Sequence, residues 1–212
     1  GFLKNMTSLA FLELSHFNFS LAWNFVNLLN MIPSLSKLRL SSCGLDKTFL
    51  SPHHLNFSTL SNIQHLDLSR NFLEGMVPPV LTNMSSLRVL DLSWNILYSS
   101  VPIMPSLLEL DLSANSFKQI EHLGIWRWCH LKQLSASFNH FEIEMIESLM
   151  NISECAQYAL ERLDLHGSLN GTIPEPFGRF ANLRDIDLSV SELTGSIPES
   201  LGGLRFLEVL DL

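Results

Sequence analysis

Histidines and aspartates are among the side chains of this 212-residue chain that could do chemistry. Histidines that bind a metal or act as a general base must lie close to their partners. His53 and His54 are adjacent and would point to opposite sides of an extended chain, while His16, His65 and His166 are far apart and are expected at the surface. The sequence has no Gly-x-x-x-x-Gly-Lys-Ser/Thr, His-Glu-x-x-His or Gly-x-Ser-x-Gly motif. We therefore predict a protein that is not an enzyme and that needs no metal or cofactor.

Six aspartates recur in the same three-residue phrase, Leu/Ile-Asp-Leu. They are Asp67, Asp91, Asp111, Asp164, Asp187 and Asp211. A row of carboxylates could hold a cation, but here each aspartate lies between two apolar residues that alternate as in a half-buried strand. We therefore interpret this motif as part of a repeated strand rather than as a cation site.

The elements that position these residues follow from a larger pattern, Leu-x-x-Leu-x-Leu, which recurs nine times. Its first apolar residues are Leu9, Leu35, Ile63, Leu87, Leu107, Leu131, Leu160, Leu183 and Leu207, at intervals of 20 to 29 residues. Such periods are typical of leucine-rich repeats, in which one short strand and its return segment bury their apolar side only by stacking on neighbours. We predict an α/β leucine-rich repeat solenoid, a curved right-handed horseshoe. It should have a concave parallel β-sheet, with short 3-10, helical and loop segments on the convex side.

A polar position follows each strand, where an Asn or Cys side chain should satisfy backbone groups of the turning chain. The residues that fit are Cys43, Asn71, Asn95, Asn115 and Asn139. Phe17, Ser168 and Ser191 stand at the same place in other copies, so we expect this polar ladder to be interrupted in the first copy and near the C-terminal end. Within the apolar strand columns, Ala136 is the one small residue.

Length and composition indicate a single repeat domain over residues 1–212, with about eight repeats and partial ends. The chain is 46% hydrophobic and 16% charged, with a formal net charge of -8, which disfavours nucleic acid as a partner. No run of about 18 apolar residues is present, so the sequence predicts no membrane span. Because the first residues read as the return half of a repeat and Leu212 lies within a strand, we expect a chain truncated at both termini.

Three copies carry the motif Leu-x-Gly-x-Ile/Val-Pro after the strand. These segments are 73–78, 169–174 and 193–198. The motif resembles the plant-specific class of leucine-rich repeat, in which this segment forms a second short strand. Over its full length the chain resembles the extracellular part of plant receptor-like proteins of the disease-resistance and fungal elicitor receptor type. The resemblance implies a repeat domain that binds a ligand outside the cell, with a membrane anchor in a segment absent from this chain and a co-receptor kinase as partner.

Asn-x-Ser/Thr sequons also point outside the cell, because they are acceptors for N-linked glycans in secreted proteins. None has proline in the middle position, and the acceptor residues are Asn5, Asn18, Asn56, Asn83, Asn151 and Asn170. Repetition of the strand-flanking segment contributes to their number, since Asn5 and Asn83 occupy equivalent places. Glycosylation at these sites is the expectation, and chance combined with repeat copying is the alternative.

The three cysteines differ in their surroundings. Cys43 occupies the polar ladder, where a buried free thiol is expected. Cys129 and Cys155 both precede consecutive strands on one side of the solenoid, which makes a disulfide plausible. The resemblance to plant receptor-like proteins, in which a similar paired arrangement occurs, favours that disulfide. The alternative is two free thiols separated by a 29-residue copy that loops outward.

The exposed strand residues should form a concave surface, the type of surface that repeat proteins use for binding. Exposed aromatic residues are enriched in binding hot spots. We predict a ligand-binding patch in which two aromatic side chains are flanked by cations, and its members are Arg70, Arg88, Trp94, Lys132 and Phe138. Shielding of the sheet or contact with a glycan would be the structural explanation for the same aromatics.

These observations lead to a non-catalytic extracellular recognition module, located at the cell surface and acting in plant defence or surface signalling. Its ligand would be an extracellular peptide, protein or oligosaccharide. Two alternatives use the same repeats: an enzyme inhibitor of the polygalacturonase-inhibitor type, and the ectodomain of a receptor kinase. The inhibitors have uniform repeats, whereas the copies here vary in length. The sequons and the cysteine pair disfavour a cytosolic scaffold.

Overall fold

A computed structural model describes residues 6–19, 32–46, 48, 60–77, 79–118, 127–142 and 152–212. Within these ranges, nine parallel three-residue strands form one sheet, each hydrogen-bonded to the strands of the neighbouring copies. The strands are β1 (Phe11–Glu13), β2 (Lys37–Arg39), β3 (His65–Asp67), β5 (Val89–Asp91), β7 (Glu109–Asp111), β8 (Gln133–Ser135), β10 (Arg162–Asp164), β12 (Asp185–Asp187) and β14 (Val209–Asp211). The predicted leucine-rich repeat solenoid with a parallel sheet is confirmed.

The strands form because their side chains alternate between the core and solvent. Within the nine-stranded sheet, the middle residue of each strand from β2 to β12 is leucine or isoleucine and is at most 4% exposed, while its neighbours are exposed or half-buried. The register pairs equivalent residues, so that Leu38 lies beside Leu66 and Leu66 beside Leu90. Burial of one such leucine stabilises the fold by about 1.5–3 kcal/mol. The small Ala136 is also completely buried.

Five further strands of two or three residues follow the concave strands and continue the wall of the solenoid. They are β4 (Glu74–Gly75), β6 (Ile96–Leu97), β9 (Phe141–Glu142), β11 (Leu169–Gly171) and β13 (Glu192–Leu193). The second short strand predicted for the glycine-containing segment is present in all three copies. β6 and β9 arise in copies that lack the motif, so the motif is not required for the second strand.

The convex side carries short helical segments, as expected. The described residues include 3-10 helices at Pro79–Asn83, Glu175–Arg179 and Glu199–Gly203 and one α-helical turn, α1, at Glu154–Gln157. The last two 3-10 helices pack closely because Gly178 lies against the carbonyl of Ser200, where a Cβ atom would clash. No helix in the described ranges is long and apolar enough to cross a membrane.

Buried asparagines connect the coils. The Oδ1 atom of Asn95 accepts a hydrogen bond from the backbone N–H of Leu73 at 3.0 Å. Its Nδ2 atom donates to the carbonyls of Leu68, at 3.1 Å, and Leu92, at 3.0 Å. One side chain thus satisfies backbone groups of two coils that water cannot reach. Asn71, Asn115 and Asn139 each donate in the same way to carbonyls of their own and the preceding coil.

The predicted interruption of this ladder near the C-terminal end is wrong. The hydroxyl of Ser168 accepts from the backbone N–H of Asn139 at 3.0 Å and donates to the carbonyl of Ala136 at 2.8 Å. Ser191 accepts from the N–H of Leu169 at 3.3 Å. A serine can replace asparagine here because the backbone groups to be satisfied lie within reach of a hydroxyl, although it satisfies fewer of them.

At the N-terminal end, the ladder position of the first copy holds the apolar residue Phe17. Phe17 is exposed and its ring stacks on Phe19. Cys43 is buried and free, as expected, and its Sγ atom donates to the carbonyl of Leu14 at 3.2 Å. Burial raises the pKa of the Cys43 thiol, so it remains protonated and serves as a weak donor.

Cys129 and Cys155 are joined by a disulfide, with their Cα atoms 4.8 Å apart. The bond connects the segment before β8 to helix α1, which precedes β10. It therefore ties two consecutive copies together on the side from which the chain enters the strands.

Candidate ligand-binding face

The aspartate row on the concave sheet has a structural role. In Asp67, Asp91 and Asp187, Oδ1 accepts from both the backbone N–H and the hydroxyl of the serine two residues later, at 2.6 to 3.0 Å. Asp111 and Asp164 accept the equivalent backbone N–H. These bonds hold the turn that follows each strand. The described residues contain no group of acidic, histidine or cysteine side chains arranged to hold a metal ion.

That turn gives the face its projecting side chains. The residue before each ladder position has a positive φ, between 52° and 67°, in the eight copies whose strands run from β1 to β12. These residues are His16, Ser42, Arg70, Trp94, Ala114, Phe138, Gly167 and Val190. This left-handed conformation is uncommon outside glycine, and the surrounding ladder and aspartate bonds impose it. Its effect is to direct one side chain per copy outward along the edge where the strands end.

Arg70 and Trp94 form the first contact on this edge. The guanidinium carbon of Arg70 lies 4.8 Å from the centre of the Trp94 ring, within cation–π distance. Trp94 nevertheless remains 54% exposed. A large aromatic surface is therefore held in place by its neighbour and presented to solvent.

Phe138 forms a second contact two copies further on. Its ring meets the imidazole of His166 edge-on, with centroids 5.0 Å apart. A Cβ atom at Gly167 would lie 3.2 Å from the Phe138 ring, so the glycine leaves room for it. His166 is in turn held by Ser189, whose Oγ lies 2.9 Å from Nδ1. Only Ala114 stands between the Trp94 and Phe138 positions, which leaves a shallow gap between two exposed rings.

The cations Arg88 and Lys132 lie at the opposite end of their strands from the aromatics. Both precede their strands, whereas Trp94 and Phe138 follow the same strands six residues later. At about 3.3 Å per residue, the two sets are up to about 20 Å apart. Arg88 donates from Nη1 to the carbonyl of Ser106 at 2.7 Å, and Lys132 contacts Glu161 at 2.8 Å. The structure therefore assembles Arg70 and Trp94, places Phe138 along the same edge, and separates the other two residues.

A groove that was not predicted from the sequence lies at the N-terminal part of the concave sheet. It has a volume of about 580 Å³ and crosses β1, β2, β3 and β5. Phe11, Lys37, Arg39 and His65 are among its lining residues. These occupy the two outward positions of adjacent strands, so a comparison of those columns could have found them.

The sequons lie in different settings. Asn83 is exposed at the end of a 3-10 helix on the convex side, where a glycan has space. Asn170 is exposed within β11, and its Nδ2 atom donates to Glu192 at 3.3 Å. Asn18 is exposed beside Gly44. Asn5, Asn56 and Asn151 lie outside the described residues.

Comparison with protein families and curated sequences gives one recurrent result. Family models described as leucine-rich repeat match residues 33–97 and 182–204. Receptor-like protein 15 of Arabidopsis thaliana is 31% identical over 202 residues, which cover 82% of this chain and 20% of that protein. Receptor-like protein 39 of the same plant is 30% identical, with 100% of this chain and 24% of its own length covered. The chain thus spans about a fifth to a quarter of these relatives. A fission-yeast adenylate cyclase is 28% identical over 71% of the chain and 9% of its own length.

Two solved receptor structures share the fold. The ectodomain of the Arabidopsis receptor kinase GASSHO1/SCHENGEN3, solved with CASPARIAN STRIP INTEGRITY FACTOR 2, has a TM-score of 0.62 at 26% identity. The match covers 98% of this chain and 27% of that one. The complex of PEPR1 with AtPEP1 has a TM-score of 0.64 at 28% identity, covering 97% and 31%.

Proposed function

The chain belongs to the leucine-rich repeat proteins of the plant receptor-like type, and from this premise we propose that it is a non-catalytic module that recognises an extracellular ligand. Its concave face would bind a peptide, protein or acidic oligosaccharide at the cell surface in defence or related signalling. A co-receptor kinase would then carry the signal inward, and the membrane connection would lie elsewhere in the protein.

The observation that carries this proposal is the Arg70–Trp94 contact. A tryptophan that is half-exposed and held at 4.8 Å by an arginine costs solvation without contributing to the core. Tryptophan and arginine are the residues most enriched in binding hot spots. The pair projects from the concave edge, so an extended ligand that crosses the strands at about 4.8 Å per strand would meet it.

A recognition role is also favoured by how the reactive groups are used. The aspartates hold turns, and the His166 ring contacts Phe138 and Ser189. Groups that are engaged in fixing the backbone are poorly placed to transfer protons to a substrate. The two plant receptor structures were solved with CASPARIAN STRIP INTEGRITY FACTOR 2 and AtPEP1, respectively, which supports a peptide as the first class of ligand to test.

The test uses the intact protein and its Trp94→Ala variant. Both are assayed by surface plasmon resonance against arrays of acidic peptides and oligogalacturonides. Truncating an aromatic anchor commonly costs about 2 kcal/mol or more, which is about a thirtyfold loss of affinity. Val190→Ala is the matched control, because Val190 occupies the same turn position two copies beyond Phe138 and lacks an aromatic ring. Unchanged affinity in both Trp94→Ala and Phe138→Ala, with normal circular dichroism, would exclude the edge as the binding site.

The proposed extracellular location has its own test. Secreted from plant cells, the protein should carry a glycan at Asn83, whose side chain faces open solvent. Asn170 should be modified less completely, because its amide donates to Glu192 within a short strand. Mass spectrometry after endoglycosidase treatment measures both occupancies. An unmodified Asn83 in the secreted protein would count against this location.

A further inference from the structure

A further cavity lies on the side wall of the solenoid, where the chain leaves the concave strands. Its volume is about 320 Å³, and its lining includes His140, Asn170, Val190, Ser191 and Glu192. All five residues follow their concave strands, so this side cavity lies outside the concave sheet. Cavities that hold small ligands span about 300–1,000 Å³. The side cavity therefore suits an occupant the size of a single sugar ring.

The walls of the side cavity are partly apolar and partly polar. Val190, which is 75% exposed, and the buried Leu169 supply apolar surface. His140, Ser191 and Glu192 supply hydrogen-bonding groups. A pyranose sugar has the same combination, because its C–H groups are apolar while its hydroxyl and acetamido groups donate and accept hydrogen bonds. The lining is thus complementary to a sugar ring.

Asn170 connects the side cavity to a glycosylation signal. It is the acceptor of the sequon Asn170-Gly171-Thr172, and its Nδ2 atom donates to Oε2 of Glu192 at 3.3 Å. An N-linked glycan is attached to this Nδ2 atom, which carries two N–H groups. Attachment uses one N–H and leaves the other for Glu192. A first sugar on Asn170 would therefore start at the wall of the cavity without loss of this hydrogen bond.

We propose that the side cavity holds the first N-acetylglucosamine of a glycan on Asn170, with its C–H groups against Val190 and its polar groups toward His140 and Ser191. The inference rests on the proposed extracellular location. The transfer forms a bond between Nδ2 and the anomeric carbon, breaks the bond from that carbon to the diphosphate of a lipid-linked oligosaccharide, and leaves one amide proton with the diphosphate. The covalent tether selects this occupant, because it gives the sugar an effective concentration on the order of millimolar at the cavity.

The sugar in the cavity would connect coils at a place where their internal hydrogen bonds are sparse. His140, Asn170 and Val190 belong to three successive copies. In the last two of these copies, serine replaces asparagine in the polar ladder and forms fewer hydrogen bonds. A sugar that contacts all three copies should therefore stabilise this part of the solenoid.

Nuclear Overhauser effects test the position of the sugar directly. The intact protein is secreted from cells that make only high-mannose glycans, and endoglycosidase H then leaves one N-acetylglucosamine on each modified asparagine. The acetyl methyl group of the sugar on Asn170 should show effects to Val190 and His140. The matched control is the sugar on Asn83, an exposed residue at the end of a 3-10 helix on the convex side. That sugar should contact only residues next to it in the sequence.

Thermal unfolding of the same single-sugar protein measures the stabilisation. Thr172→Val removes the sequon, keeps the methyl group that lies near Gly195, and leaves the Asn170 side chain in place. We expect the melting temperature to fall by about 2–4 °C. Ser85→Ala, which removes the sequon of Asn83, should lower it by less than about 1 °C. Unglycosylated forms of the three proteins correct for the effects of the substitutions themselves.

The possible outcomes separate this inference from the proposed function. If the sugar on Asn170 contacts no cavity residue, or if the two sequon variants lower the melting temperature equally, the inference is overturned and the extracellular location stands. A secreted protein that is modified at Asn83 and unmodified at Asn170 leads to the same conclusion. If neither asparagine is modified, the inference and the proposed location both fail.

Discussion

The two halves of the concave sheet carry cations in different surroundings. In the N-terminal half, Lys37, Arg39, Arg70 and Arg88 have no carboxylate closer than 3.7 Å among the described residues. In the C-terminal half, two cations form ion pairs at 2.7 and 2.8 Å, and Arg162 neighbours Asp185 on the next strand. The cations of the N-terminal half thus have looser carboxylate contacts than those of the C-terminal half.

The polar ladder also changes along the solenoid. Asparagines fill the polar ladder from Asn71 to Asn139, whereas Ser168 and Ser191 continue it with fewer hydrogen bonds. The disulfide lies at this transition, between the copies of β8 and β10. We infer that the disulfide reinforces the solenoid where its hydrogen-bonded ladder becomes weaker.

The largest expected effect comes from the disulfide. Replacing both Cys129 and Cys155 by serine opens a closed loop of 26 residues in sequence separation. Chain-entropy estimates give a loss of about 3–4 kcal/mol in the free energy of unfolding. Denaturant unfolding monitored by circular dichroism measures it. A loss below about 1 kcal/mol would mean that the ladder transition needs no covalent support.

The ladder itself supplies the next effect. Asn95→Ala removes the partner of the Leu73 N–H and of the Leu68 and Leu92 carbonyls, so we expect a loss of about 2–3 kcal/mol. Ser168→Ala, the matched change in the other half, should cost about 1–2 kcal/mol because one hydroxyl bridges fewer groups. Equal losses in urea unfolding would contradict the proposed weakening.

The exposed ion pairs contribute less. Lys132→Gln breaks its pair with Glu161 and should cost about 0.2–1 kcal/mol at low salt. Lys37→Gln breaks no ion pair among the described residues and should leave the unfolding midpoint almost unchanged. Repeating the measurement at high salt should abolish the difference. A larger loss for Lys37→Gln would show that this lysine stabilises the fold.

The smallest effect is a difference in pH dependence between two aspartates of the same row. Burial raises the pKa of Asp187, but the bonds from Ser189 and the nearby His166 outweigh it and lower the pKa overall. Its stabilisation is therefore present above the unfolded-state pKa and is lost as pH falls through the folded-state pKa. The raised pKa of Asp91 has the opposite effect on stability. The contribution of Asp91 is present at low pH and is lost as pH rises through its folded-state pKa.

Accordingly, Asp187→Asn should reduce the acid sensitivity of the protein and Asp91→Asn should increase it. The change for Asp187→Asn should be small, because Asp187 is partly exposed and its charge is screened. Urea midpoints at about pH 7 and about pH 3.5 provide the comparison. Shifts of the same sign in the two variants would contradict the assignment.

Much of the architecture could be predicted from residue types. The leucine columns gave the concave strands, because a strand of period two has to bury its apolar side. The Leu-x-Gly motif located β4, β11 and β13. The prediction that the ladder is interrupted at Ser168 was wrong. The sequence shows serine in place of asparagine, but it does not show that the backbone N–H of Asn139 lies within reach of the Ser168 hydroxyl.

The arrangement of the candidate binding residues was harder to predict. Arg70, Trp94 and Phe138 share the turn position before the ladder residue, whereas Arg88 and Lys132 precede their strands. Alternation along a strand tells which side a residue faces and does not tell which side chains approach one another. The groove around Lys37 was missed for the same reason, because it depends on how four strands lie side by side.

The sequence by itself determined the repeat, the burial of its leucines and the places of the polar turns, since these follow from local periodicity and short-range hydrogen bonding. Only the tertiary structure decided which charges are neutralised. Lys132 and Glu161 are 29 residues apart and meet at 2.8 Å because stacking brings successive copies into register. Lys37 occupies an equivalent surface and meets no such partner among the described residues. The interactions available to a ligand therefore depend on contacts between coils, which residue order alone does not specify.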